Sequence, residues 1–340
     1  MIKVKKIAVC LLAGILLVGC AQKTSFKEIP NRKVDLPAES SDLRFEKLDI
    51  QALGLIYGYC VDSLFLLKTR EFENSYRVFG VETGQDYGTI LSGGEGPLEY
   101  LNVSTQGQYV STPDSIMLWT TDNIKRKARL LNLTRTLEEK STVIDQEYSF
   151  KKSLYNSYAI NDTSFVGYTF DGLTWSFARW NPQSGQVAPL FDLLDDFRDI
   201  SFLSAGSGLK YDKSRIVLAP FFFNQVFFFS PDGEERFSVS LGNPVSFEEL
   251  KNKQYHERIL YFSNVAVTPE QVWILYDGCD ATVSPEDRPN SRIIVMDWEG
   301  NPLYLFDTGK RLNSMFSDSS KDTIYAIDEE ENLYRLHIDA

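Results

Sequence analysis

The chain has 340 residues, 43% hydrophobic and 13% aromatic, enough to fill a sizeable core, and its formal net charge is −12. That balance works against binding a phosphate backbone, whose affinity comes from clustered Lys and Arg, so no nucleic-acid partner is expected. Length alone would split the chain into two domains, but closed all-β structures commonly exceed the usual domain size.

The N-terminus reads as an address. Lys3, Lys5 and Lys6 precede an apolar stretch from Ile7 to Val18, too short to span a membrane as a helix and right for the core of a signal peptide. The stretch ends in Leu17-Val18-Gly19-Cys20, which resembles a bacterial lipobox. The resemblance implies loss of residues 1–19 and acylation of Cys20, which would then hold the chain to a membrane; stable attachment takes more than one acyl chain. Residues 20–41 are polar and contain Pro30 and Pro37, so they are expected to form a flexible tether. No acidic run follows Cys20, and the expected location is the outer membrane, facing the periplasm. After Cys10 and Cys20, Cys60 and Cys279 remain; an exported compartment would permit a disulfide, but the repeat described below places them in units one and five, which do not touch in a six-membered ring, so no bridge is expected.

Residues 42–340 are expected to form one domain. Its first strand signal, Leu43 to Ile50, belongs to no repeat of its own. Then one turn recurs: an acidic, polar cluster leading at once into a strand-forming apolar run. It begins at Asp62, Asp114, Asp162, Asp212, Glu270 and Asp322, in steps of 48 to 58 residues. Six copies at a near-constant period identify a repeat architecture. Each copy reads as four strands. In the fifth these are Ser263–Val267, Val272–Tyr276, Arg292–Met296 and Pro302–Phe306, with a tight turn at Asp297–Gly300. Equivalent Gly-containing turns stand at Ser230–Gly233 and Asn181–Gly185, where glycine supplies positive φ. Four-stranded units repeated radially describe a six-bladed β-propeller; a β-sandwich pair would not need the constant period. The last unit is one strand short after Asn332–Ile338, so the strand at Leu43–Ile50 is expected to complete it and close the ring, removing an exposed edge. The run Phe221–Phe229 reads as a blade centre packed on both faces rather than as an aromatic binding box.

Gly94-Glu95-Gly96-Pro97-Leu98-Glu99-Tyr100, together with the lipobox and the repeat, resembles the TolB-like six-bladed β-propeller lipoproteins of Bacteroidota. That family often carries Gly-x-Gly-Pro-Gly-Glu-aromatic after an early blade, and Leu98 stands where it usually has glycine. The resemblance implies the propeller fold and the envelope address.

Propeller connections alternate between two faces. Those between first and second strands and between third and fourth read as short throughout. The long ones, 92–102, 190–208, 242–262 and 277–291, share the other face, and long loops in a compact domain tend to carry function. A helix capped by Ser246 with Glu249 at its third position is expected in the third of them, with Val245 and Leu250 as its hydrophobic staple. Tyr255, His256 and Arg258 follow it and, with Glu95, Glu99, Tyr100 and Arg126, make the candidate binding face. Lys125, Arg126, Lys127 and Arg129 are the one basic cluster. Asp277, Asp280, Glu286 and Asp287 crowd one loop and are weak candidates for Ca²⁺, without the spacing of an EF-hand.

Catalytic signatures are sparse. His256 and His337 are the two histidines, and there is no zinc spacing, nucleophile elbow or phosphate-binding glycine loop. The reading that results is a monomeric, lipid-anchored, non-enzymatic propeller that holds a protein or glycan partner on its long-loop face and needs no cofactor. The alternative is a Ca²⁺-dependent hydrolase or lyase with its site at the central channel.

Overall fold

A computed structural model describes residues 29–40, 42–70, 75–170, 172, 174–194, 205–284 and 287–338. The signal segment and Cys20 lie outside these. Three strands come first: β1 (Asn31–Val34), β2 (Glu39–Ser40) and β3 (Leu43–Lys47). Blade one follows as β4 (Leu55–Val61), β5 (Leu64–Thr69), β6 (Tyr76–Gly80) and β7 (Asp86–Ile90). Blade two has a divided inner strand, β8 (Val103–Ser104) and β9 (Tyr109–Ser111), then β10 (Ile116–Asp122), β11 (Lys127–Asn132), helix α1 (Leu133–Glu139) and β12 (Ile144–Ser149). Blade three is β13 (Tyr155–Asn161), β14 (Ser164–Phe170), β15 (Trp175–Asn181) and β16 (Gln186–Leu194). Blade four is β17 (Ala205–Leu209), β18 (Ile216–Pro220), β19 (Gln225–Phe229) and β20 (Arg236–Leu241), followed by helix α2 (Phe247–Lys251). Blade five is β21 (Ile259–Val267), β22 (Gln271–Asp280), β23 (Arg292–Asp297) and β24 (Pro302–Asp307), and blade six is β25 (Leu312–Ser317), β26 (Ile324–Asp328) and β27 (Leu333–Ile338). The chain is a six-bladed β-propeller, and all six recurring turns join a first strand to a second.

β3 supplies the missing strand. It pairs antiparallel with β27, with Arg44 opposite His337 and Phe45 opposite Leu336. The Phe45 ring meets Tyr334 edge-on at 5.6 Å. The N-terminal chain does more than this, however. β1 lies parallel to β20 on the rim of blade four, and β2 parallel to β24 on the rim of blade five. Residues 29–40 are therefore a strap of added edge strands and not the end of a tether, because the outer strands there offer unpaired N–H and C=O groups.

The core is divided into six clusters, one between each pair of neighbouring blades. The cause is strand alternation: successive side chains point to opposite faces. In β19, Phe227 and Phe229 face blade three while Val226 and Phe228 face blade five, all at most 1% exposed. The aromatic run is thus core on both sides. Between blades six and one, Phe65 sits 4.7 Å from Tyr325 and 5.9 Å from Phe316, which seals the ring. Near the axis the blades converge and side chains must shrink. A Cβ on Gly206 of β17 would lie 2.7 Å from the Val265 nitrogen of β21, so only glycine fits there.

One expectation about loops fails. The connection between the third and fourth strands of blade two holds α1, so the face expected to carry short turns alone carries a helix. Asn132 caps it by accepting from the Arg135 N–H, and Leu133 and Thr136 are buried beneath it.

Candidate functional site

All six blades contribute their first strands to one cavity, the axial channel, of about 960 Å³. It includes both ends of β17, Ala205 and Leu209, and the turn residues 210–213 beyond it, so it runs the depth of the ring. Its chemistry changes along that depth. Towards the short-turn face lie four charged groups, Lys210, Asp212, Lys213 and Asp318, and each has a partner. Lys210 Nζ is 3.5 Å from Asp212 Oδ2. Lys213 Nζ donates to the Ile160 carbonyl at 3.0 Å. Asp318, 2% exposed, accepts from the Tyr109 hydroxyl at 2.7 Å and from the Ser320 N–H, and has Lys321 at 3.4 Å. Burial, with the Asp318 carboxylate beside it, pushes the Tyr109 hydroxyl well above its usual range. Towards the long-loop face the lining is neutral: Tyr57, Tyr59, Asn156, Ser263, Asn264 and Asn313. The hydroxyl of Ser314 is buried there with no protein partner.

The candidate face residues divide into exposed and internal ones. Glu95 and Arg126 are exposed. Tyr100 is fully buried, its hydroxyl 2.9 Å from Thr120 Oγ1, and Glu99 Oε2 folds back to accept the Gly96 N–H at 2.7 Å. The basic cluster is largely used within the protein. Lys125 Nζ donates to the carbonyls of Gly94, Gly96 and Glu99 at 2.8–3.0 Å. Arg129, 0% exposed, reaches the carbonyls of Pro97 and Glu99 and the Glu147 carboxylate, and its guanidinium lies 4.7 Å over the Tyr100 ring. The glycine-proline stretch is therefore a crossing from blade one to blade two, pinned by two cations. Leu98 is tolerated because its φ is ordinary and its side chain is 48% exposed.

Across the ring, α2 forms as expected: Ser246 Oγ accepts the Glu249 N–H at 3.1 Å, and Val245 and Leu250 are buried in the cluster between blades three and four. Tyr255 and His256 are exposed on the short helical turn that follows. Arg258 is 7% exposed and stacks over Phe222 at 5.8 Å, which takes it off the surface. The middle of the connection between blades three and four, and Glu286, lie outside the described residues.

Among the described residues of the acidic loop, Asp277, Asp280 and Asp287 are not brought together. β22 continues through it to Asp280, which is exposed at the strand end. Asp287 is engaged by the Ser284 hydroxyl at 2.8 Å. Asp277 instead lines a side cavity of about 110 Å³ with Cys279, Arg288, Arg311 and Glu329, where two guanidinium groups stand beside the two carboxylates and Arg311 pairs with Glu329 at 2.9 Å. Among the described residues no group of three or more His, Cys, Asp and Glu side chains is placed to hold a metal. Cys60 and Cys279 are free thiols on different blades.

Burial raises the Asp277 carboxyl above its ordinary value, and Oδ2 has no partner. A raised folded-state pKa favours the protonated form, so the folded protein loses stability as pH rises from the unfolded value through the raised one. Asp277→Asn is expected to remove that loss. The thermal midpoint at pH 7 minus that at pH 4 should be more positive in the variant than in the wild type; equal values would refute the assignment.

Among solved structures, the chain is similar to a candidate exported protein (BF0058) of Bacteroides fragilis NCTC 9343, with a TM-score of 0.55 and 12% identity over 91% of this chain and 99% of that one. It is also similar to a member of the DUF4221 family from Bacteroides vulgatus ATCC 8482, with a TM-score of 0.56 and 12% identity over 87% and 99%. At this identity the likeness is one of fold. No protein-family model matches the sequence, and no curated protein matches it.

Proposed function

We propose that the chain is a non-enzymatic binding protein of the cell envelope, exported and lipid-anchored through Cys20, that receives its partner at the long-loop face and the channel mouth opening there. The observation that carries the reading is the pairing of every charged group lining the channel, Lys210, Asp212, Lys213 and Asp318. General acid–base or nucleophilic chemistry draws on a titratable group held available for proton transfer or attack. A lining of satisfied charges and neutral amides and hydroxyls suits recognition instead. The exported neighbour of like fold and the Leu17–Cys20 stretch support the address. Kinship with the TolB-like lipoproteins rests on Gly94–Tyr100.

Joint replacement of Glu95, Arg126, Tyr255 and His256 by alanine, all exposed, is expected to abolish capture of the native partner from an envelope extract while leaving the thermal midpoint unchanged. Undiminished capture would overturn the choice of face. Labelling of the protein by radioactive palmitate in growing cells, lost on Cys20→Ala, tests the anchor.

A further inference from the structure

We infer that the long-loop half of the axial channel takes a neutral oligosaccharide. The inference rests on the reading of the chain as a binding protein and names the class of ligand.

Four properties of the channel converge on that class. First, size: about 960 Å³ stands at the upper end of the range, about 300–1,000 Å³, in which proteins enclose drug-sized ligands, leaving room for more than one sugar ring. Second, charge: both lysines that line the channel, Lys210 and Lys213, lie in the turn at its short-turn end, so the long-loop half presents no cation to an acidic ligand. The carboxylates are engaged and lie at the same, short-turn end. Third, hydrogen-bonding groups: Gln106 and Asn156 present carboxamides, which offer both donors and acceptors and so match sugar hydroxyls, which are both as well; Asn264, whose Oδ1 accepts the Met315 N–H, adds its Nδ2, and Asn313, whose Nδ2 donates to the Asp328 carbonyl, adds its Oδ1. A purely apolar ligand would strand these groups without water, at a cost of about 1–3 kcal/mol for each one left unsatisfied. Fourth, ring faces: Tyr57 and Tyr59 line the same volume, and Trp119 borders it while its ring packs against Tyr148 and Phe165. Aromatic rings with a polar handle give a flat apolar face for the C–H side of a pyranose while their N–H or O–H meets its edge. Tyr57 and Tyr59 stand nearly perpendicular, with centroids 6.0 Å apart, so they offer faces in two directions.

Trp119 gives the assay. The other four tryptophans, Trp175, Trp180, Trp273 and Trp298, are at most 4% exposed and do not line the channel, whereas Trp119 does. The intact protein is titrated with a panel of neutral oligosaccharides (gluco-, xylo-, manno- and chito-oligosaccharides), with polygalacturonate, and with a mixture of random peptides, following tryptophan emission and heat. Binding of at least one neutral oligosaccharide is expected, insensitive to salt because no ion pair forms, with an emission change that disappears in Trp119→Phe. Gln106→Ala and Tyr59→Phe should each weaken it about tenfold, the loss of one hydrogen bond of about 1.4 kcal/mol, with unchanged thermal midpoints. No binding across the neutral panel, or binding confined to polygalacturonate or peptides, overturns the inference. If the neutral panel fails while capture of an envelope partner still depends on Glu95, Arg126, Tyr255 and His256, the ligand class alone falls; if capture is also independent of those residues, the face assignment falls with it.

Discussion

A fragment beginning at Leu48 is expected to lose cooperative folding, while one beginning at Asp42 keeps it. The two differ by β3, whose removal exposes the edge of β27 along the five residue pairs from Tyr334–Lys47 to Ile338–Leu43. It also removes Leu43, 9% exposed, from the cluster between blades five and six, and the Phe45 ring from Tyr334. Burying side chains of that size contributes about 1.5–3 kcal/mol each, and unpaired strand edges add a route to aggregation. The combined loss, on the order of 5 kcal/mol, is a large fraction of the 5–15 kcal/mol that holds a typical domain folded. The fragment starting at Asp42 lacks β1 and β2 but keeps the ring closed, so its thermal midpoint should fall by only a few degrees. A peptide spanning residues 42–49, added to the shorter fragment, should restore part of the transition. Indistinguishable melting curves for the two fragments would show that ring closure does not depend on β3.

Arg129→Met is expected to be the most damaging single substitution on the long-loop face, although the side chain is fully buried. The fully buried guanidinium is the partner of two carbonyls and shares the Glu147 carboxylate with Lys127. Methionine preserves the stem and the contact with Tyr100 but leaves the Pro97 and Glu99 carbonyls without that donor. Breaking a buried charge network from one side costs about 3–5 kcal/mol, which for a domain of this size lowers the melting midpoint by roughly 10 °C. The crossing also begins with Leu91 at φ 62, a conformation a bulky residue adopts only when its surroundings hold it there. Release of the crossing should therefore show as faster amide exchange at Gly94, Gly96 and Tyr100. A fall below about 1 kcal/mol would mean that Lys125 alone suffices to pin it.

The surroundings of the acidic loop and of the basic cluster follow from the fold and not from spacing along the chain. Asp277 and Asp280 are neighbours in sequence, yet a strand runs through both and delivers one to a side cavity and the other to solvent. Lys125 and Arg129 look like a receptor for an acidic partner, but their fixed partners are carbonyls of residues 94–99 on another blade connection. A cation's availability depends on what the fold brings to it, and spacing along the chain does not carry that information.

Blade number, the recurring turns, the completing strand near Phe45, the α2 cap at Ser246 and the two-sided burial of Phe227 and Phe228 were all legible in the amino-acid order. Each depends on local signals: a turn residue, a period of two, a cap three residues from its acceptor. The strap of residues 31–34 on blade four joins positions some 207 apart, Asn31 and Ser238, and no local pattern marks it. The same is true of the channel, where Asn156, Asn264 and Asn313 from three blades face one volume. Order along the chain determined the ring because its rules act between near neighbours; the placement of polar groups about the axis was decided only when six blades converged, since each group's surroundings come from strands remote in sequence.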